Sequence, residues 1–167
     1  YSRDMTTSGE PRWLDAEQQQ AWRALMMGMT LLMDRLDEDL RREFSISLGE
    51  YEVLVRLSER PGRRMRMAQL ADAMAHSRSR VTHTIARMEK SGYVVRETTP
   101  EDGRGIVAQM TDLGYALLVN AAPCHVESVR RNLVDLVEPD DFAALGRVFN
   151  AVSDRLVTSH PEIELRG

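Results

Sequence analysis

Residues 15–44 constrain the architecture most. Apolar side chains fall at Trp22, Leu25, Met26, Met29, Leu32, Met33, Leu36 and Leu40. Steps of three and four mark one face of a single long helix. Asp15, with Gln18 three positions later, reads as a capping box at its start. About thirty helical residues span roughly 45 Å at ~1.5 Å per residue. That is too long to pack only within the small domain a 167-residue chain can build. The helix is therefore expected to reach a second subunit.

Downstream the pattern shortens. Ser47 with Glu50 opens a second helix that buries Tyr51, Leu54, Val55 and Leu57, and Pro61-Gly62 ends it. Arg63 to Met67 alternate weakly, as a short strand does. A short helix is expected over Gln69 to Ala75. A second follows over Arg78 to Ser91, with Ser77 as N-cap and Gly92 as its stop. In the latter, Val81, Ile85 and Met88 are spaced to be buried, while Ser79, His83 and Lys90 lie opposite, with Arg80, Thr82 and Arg87 on the shoulders. Two short helices joined by a tight turn, the second polar and basic outside, form a helix-turn-helix candidate.

The period then changes to that of strands, Tyr93 to Thr98 and Ile106 to Thr111. They flank Thr99-Pro-Glu-Asp-Gly-Arg-Gly105, a turn-rich hairpin loop with Arg104 near its tip. A hairpin directly after a helix-turn-helix is the winged variant. Two helices close the chain. Thr111 caps the first, which runs past Leu113, Leu117, Val126, Val129 and Leu133, with a kink or break expected at Pro123. The last opens at Glu138-Pro139 and carries Phe142, Leu145, Phe149, Val152 and Leu156 on one face. The expected fold is mainly α with a small antiparallel β-hairpin wing. Its parts are a flexible segment over residues 1–12, a helical dimerisation region over 13–45 and 112–158, a winged helix-turn-helix over 46–111, and a tail over 159–167.

Charge supports this division. The chain has a net charge of −4. Yet Arg56 to Arg104 holds 11 basic residues against 6 acidic ones, and the remainder holds 11 against 20. A basic centre between acidic flanks suits a polyanion-binding module. Within it, the first turns of the helix beginning at Arg78 are placed to meet base edges in a major groove. Arg80 has the chemistry for guanine or for phosphate, and Ser79 and His83 for bases or backbone oxygens. Arg63, Arg64, Arg66, Arg87 and Lys90 suit phosphates, which position without reading sequence. Arg104 suits a minor groove.

Other chemistries find little support. There is no nucleophile elbow, P-loop or dinucleotide fingerprint, so no enzyme is expected. His76, His83, His125 and His160 show no metal-ligand spacing, and no metal or other cofactor is expected. The single cysteine, Cys124, excludes an intrachain disulfide and fits a reducing cytosol. Cys124 leaves open a redox-sensing regulator of the same fold. A winged helix that binds protein and not DNA is the other alternative, distinguished by salt-sensitive DNA binding. No apolar run suffices for a membrane span, and no basic-then-apolar leader is read, so the cytoplasm is the expected location.

The stretch Gln69-Leu-Ala-Asp-Ala-Met74, then Ser77-Arg-Ser-Arg-Val-Thr-His-Thr-Ile-Ala-Arg-Met-Glu-Lys-Ser-Gly92, Val94-Val-Arg96, Asp102-Gly-Arg104 and Met110-Thr-Asp-Leu-Gly114 resembles the MarR family of bacterial winged-helix regulators. The resemblance runs from about Trp13 to Val157. Ala108 and Met110 stand where the family has valine and leucine, and His83 where it often has arginine. The usual Ser/Thr before the first helix of the motif is absent, with Met67 near that place. The resemblance implies a homodimer joined through its first and last helices. It implies a repressor on a pseudo-palindromic double-stranded operator. On the helix read above, Arg78, Ser79, Arg80, Thr82, His83 and Arg87 are the candidate contacts. Asp102 would hold the wing while Arg104 enters the minor groove. It further implies a small-molecule effector between the dimer region and the wing domain. Trp22, Met26, Met29 and Met33 are candidates to line that pocket, although the same stripe serves as helix–helix core, its commoner use. Replacing Arg104 by alanine is expected to weaken binding to all duplexes, or to A·T-flanked operators, in an anisotropy titration.

Overall fold

The computed structural model describes residues 11–98 and 105–157. The described residues form six α-helices, two single-turn 3-10 helices (Pro61–Arg63 and Val134–Leu136) and a three-stranded antiparallel sheet: α1 (Ala16–Phe44), α2 (Leu48–Ser58), β1 (Arg64–Arg66), α3 (Met67–Ala73), α4 (Arg78–Lys90), β2 (Val94–Thr98), β3 (Ile106–Met110), α5 (Asp112–Asn132) and α6 (Pro139–Val157). The expected architecture is thus the observed one, mainly helical with a small sheet. Residues 1–10 of the expected 1–12 segment, the whole expected tail 159–167, and the wing tip with Asp102 and Arg104 lie outside the described residues.

The capping boxes form as read. Asp15 accepts from the Gln18 N–H at 2.8 Å, and Gln18 returns a bond to the Asp15 N–H at 3.1 Å. Ser47 and Glu50 do the same for α2. These contacts satisfy amides that a helix start otherwise leaves without partners. The 29 residues of α1 then run to Ser45, whose left-handed φ of 58° ends the helix.

Only the last part of α1 is docked. Its buried residues are Leu36, Asp39 and Leu40, whereas Trp22, Met26, Met27 and Leu31 remain exposed. The docking to α5 has a polar centre. The Asp39 carboxylate, 3 % exposed, accepts from Ser128 Oγ at 2.6 Å and pairs with Arg42 at 2.9 Å. The Ser128 hydroxyl holds the Asp39 carboxyl below the ordinary carboxylate range, against the effect of burial, and the arginines beside it act in the same direction. A buried carboxylate so bonded ties two helices at one register.

Around α2 the core closes. Val53, Leu54 and Leu57 are wholly buried, with Leu70, Ile85 and Val94 packed into the same cluster. The sheet order is β1-β3-β2, so the hairpin gains a third strand from Arg64–Arg66, with Met65 opposite Ala108. Helix α3 starts at Met67, two residues before the expected Gln69, and ends at Ala73 rather than Ala75. No side chain caps its start, so the local sequence carries no start signal there.

Pro123 does not interrupt α5, which runs unbroken from Asp112 to Asn132. Proline removes the bond to the carbonyl four residues earlier. That carbonyl belongs to Val119, which is exposed, as is Pro123, so solvent can replace the lost bond. Of the apolar residues along α5, Leu113 and Val126 are exposed and Leu117, Val129 and Leu133 half-buried, while Leu118, Ala121 and Ser128 face inward.

The turn from β3 into α5 fixes the sheet to the helices. Thr111 Oγ1 donates to the Gly92 carbonyl at 2.6 Å and accepts from the Gly114 N–H at 3.1 Å. A Cβ at Gly114 would stand 2.2 Å from the Tyr93 carbonyl oxygen. That contact with backbone cannot be relieved by a rotamer change. Gly114→Ala is therefore expected to cost about 1–3 kcal/mol, read as a Tm several degrees lower at fixed protein concentration.

Candidate nucleic-acid interface

Helix α4 is built with two unlike sides. Its inner side, Val81, Ile85 and Met88, is almost fully buried. Ser77 starts it by accepting from the Arg80 N–H at 3.3 Å, and Gly92 follows its end with φ of 76°. The outer side presents Ser79, His83 and Lys90, all exposed. At 3.6 residues per turn the remaining polar residues divide between two flanks. Arg80 and Arg87 lie on one, Arg78 and Thr82 on the other. Thr82 Oγ1 donates to the Arg78 carbonyl at 2.8 Å, which leaves its oxygen as an acceptor.

Each flank meets a different neighbour. On the Arg78–Thr82 side an open groove of about 400 Å³ lies between the helix and the base of the wing, lined by Arg66, Met67, Arg78, Thr82, Gly105 and Ile106. Arg64 and Arg66 alternate with buried Met65 along β1, so they share one side of the sheet. On the other flank Arg87 Nε donates to Glu50 Oε1 of α2 at 3.2 Å. At the end of α4, Arg96 of β2 grips Glu89 through Nε at 2.9 Å and Nη2 at 2.7 Å. This lowers the Glu89 carboxyl from its ordinary range and ties strand to helix.

The candidate residues are therefore not equivalent. Arg78, Ser79, Arg80, Thr82, His83 and Lys90 come together on one exposed surface, and Arg66 joins them across the groove. Arg63 stands elsewhere. Its guanidinium lies 3.6 Å over the Tyr115 ring and 3.4 Å from Asp112 Oδ1, which pins the α2–β1 turn to the start of α5. Arg63 holds a left-handed φ of 53°, and the stacking helps offset that strain. Nothing in the spacing of residues 63, 112 and 115 announces this contact. Glu50 was legible in the sequence as a helix cap, but its pairing with Arg87 was not.

A second cavity, about 310 Å³, opens between α1, α2 and α5, lined by Met33, Leu36, Tyr51, Glu52, Arg56 and His125. Of the stripe considered as a pocket lining, only Met33 reaches it. Trp22, Met26 and Met29 sit farther out along the exposed part of α1. His125 stacks on Tyr51 with ring centroids 4.5 Å apart, and its Nδ1 is buried without a protein hydrogen-bond partner. Among the described residues no cluster of three or more His, Cys, Asp or Glu could hold a metal ion. No described helix is long and apolar enough to cross a membrane. Cys124 is half-buried on α5.

A model of the MarR family matches residues 44–105, from the end of α1 to the wing. Sco3205 of Streptomyces coelicolor, a MarR family transcriptional regulator solved in complex with DNA, is 44 % identical, with a TM-score of 0.86, over 88 % of this chain and 92 % of that one. The chain belongs to the MarR family. Another member, AbsC of Streptomyces coelicolor, is 40 % identical with a TM-score of 0.83, over 87 % of this chain and 98 % of that one. The HTH-type transcriptional regulator PecS of Dickeya dadantii is 29 % identical over 124 residues, 72 % of this chain and 75 % of that protein. In this MarR chain the helix-turn-helix is α3–α4 and the wing rises from β2 and β3.

Burial lowers the affinity of His125 for a proton, and His76 shifts the same way, first by burial and then by Arg80. The unfolded chain, with histidines near their ordinary ~6.5, then binds more protons than the folded one at mildly acidic pH. Stability is fully present above about pH 6.5 and declines as pH falls below it. His125→Phe keeps an aromatic ring against Tyr51. It is expected to reduce the loss of Tm between about pH 7.5 and 5.5.

Proposed function

We propose that the protein is a sequence-specific regulator of transcription that binds double-stranded DNA as a homodimer, most simply as a repressor in the cytoplasm. The observation that carries this reading is the two-sided α4. Its apolar side is locked into the core, and its outer side offers arginine, histidine and serine to a groove-sized partner. In this reading Arg78, Ser79, Arg80, Thr82 and His83 enter the major groove. Arg64, Arg66 and Lys90 take phosphates, with the Arg66–Arg78 groove following the backbone. Arg104, with Asp102 beside it in sequence, supplies the minor-groove contact.

Exposed apolar surface supports the dimer. Among the described residues, Trp13, Trp22, Met26, Met27 and Leu31 of the N-terminal arm and α1, and Phe142, Val148 and Val152 of α6, are exposed. No residue of α6 within 139–156 is buried. Two arms of 13–45 and 112–158 packed together would bury these faces and set the spacing of two recognition helices, with 46–111 as the DNA-binding unit. A small-molecule effector would enter the cavity between α1, α2 and α5. There Arg56, Glu52 and His125 offer polar contacts on an otherwise apolar wall, and a ligand would alter how α2 sits against α1.

The test is selection of genomic fragments by the purified protein at two salt concentrations, with sedimentation at the same concentrations. Enrichment of one inverted repeat with half-sites about 10 bp apart, affinity falling steeply with salt and twice the chain mass are expected. Retention of no fragment at low salt would sink the reading. Arg80→Ala and His83→Ala are expected to change preference among operator variants by about 1–3 kcal/mol where a base contact is lost. Unchanged preference across all variants would remove α4 from the role of reader.

A further inference from the structure

The flank of α4 that carries Arg87 is tied to α1 through a short polar relay. Asp37 of α1 accepts the Leu48 N–H at the start of α2 at 2.8 Å, and also the Arg41 guanidinium. One residue earlier, Ser47 hands its N–H and its hydroxyl to a single oxygen of Glu50, Oε2, both at 2.8 Å. The other oxygen, Oε1, is left for Arg87 Nε. The Glu50 side chain is only 14 % exposed, while that of Arg87 is 60 % exposed. Burial alone would push the Glu50 carboxyl upward. The Ser47 bonds and Arg87 outweigh it, and the carboxylate stays charged.

An acid at this place works against raw affinity. It stands at the edge of a surface read as binding a polyanion, and it occupies one of the arginines that would otherwise meet phosphate. The burial of Val81, Ile85 and Met88 seats α4 and sets which side faces inward, but hydrophobic contact is non-directional, and the bonded guanidinium at one flank adds a directional contact that trims the rotation of the helix. Arg87 lies seven residues after Arg80, two turns along the same stripe, so its position fixes how Arg80 and its neighbour His83 are presented.

We propose that Glu50 is a positioning residue for DNA recognition: by holding Arg87 it sets the rotation of α4 relative to α1, giving up non-specific affinity in favour of discrimination. The proposal rests on the DNA-binding reading above and adds a residue that itself touches no DNA.

The test uses Glu50→Gln, Arg87→Gln and the double variant of the full chain. Each is titrated with the inverted-repeat duplex recovered by selection and with a scrambled duplex of equal length and composition, at several salt concentrations. Glutamine still accepts the Ser47 N–H, so the cap of α2 survives and Tm is expected within about 2 °C of the parent. In Glu50→Gln, affinity for the scrambled duplex rises. The ratio of inverted-repeat to scrambled affinity falls about two- to fivefold, the span of an exposed ion pair. Arg87→Gln leaves the cap untouched and lowers the same ratio, and adding Glu50→Gln to it lowers the ratio no further. An equal rise on both duplexes would make Glu50 a mere counter-charge and overturn the proposal. So would a fall in Tm with the ratio intact, which marks a purely structural role, or additive effects in the double variant. A parent protein that retains no duplex at low salt removes the DNA reading itself, and this proposal with it.

Discussion

The core of the molecule is arranged around the burial of α2. Val53, Leu54 and Leu57 are sealed from solvent, and Tyr51 nearly so, which leaves little of this eleven-residue helix for an outer surface. A helix apolar around most of its circumference must sit in the middle of something. It does so here with α1 and α5 on one side and α3, α4 and the sheet on the other. Its start carries amides that cannot be left bare, and Ser47, Glu50 and Asp37 supply the acceptors. The same polar groups that end the cost of burying α2 also connect the helices flanking it.

The basic window overstates the charge available to a polyanion. Arg63 is spent on Tyr115 and Asp112, Arg87 on Glu50, and Arg96 on Glu89. Arg87 and Arg96 each join two elements of the winged unit, and Arg63 ties that unit to the start of α5. The arginines nearest the outer surface of α4 and the groove beside it are the ones the proposed DNA reading uses. A count of charges along the chain cannot separate the two kinds, because the guanidinium is equally suited to carboxylate and phosphate.

The first and last helices pose the opposite problem, apolar surface exposed among the described residues. The projecting part of α1 and the whole described length of α6 keep large apolar side chains in solvent. Meanwhile Asp39 and Ser128 lock α1 to α5 at 2.6 Å. Under the dimer reading this lock matters. A shift of the arm against α5 would strain a buried, bonded carboxylate, so this contact holds the two helices at one register.

What the sequence determined by itself is what depends on neighbours three or four residues away. The boxes at Asp15 and Ser47, the Ser77 and Thr111 caps, the left-handed Gly92 and the two-sided pattern of α4 are all local hydrogen bonding or periodicity, and all are legible in order along the chain. With them came the element order and the resemblance that the comparisons bear out. The start of α3 was missed because no side chain caps it, and Pro123 misled because its cost depends on whether Val119 faces water. The stripe from Trp22 to Met33 has one helical period, yet only Met33 reaches the cavity, since that depends on where α2 and α5 cross α1. The Glu50–Arg87 and Asp39–Ser128 contacts join residues 37 and 89 positions apart. Such pairs exist only once packing has brought their elements together, and no spacing within either segment encodes them.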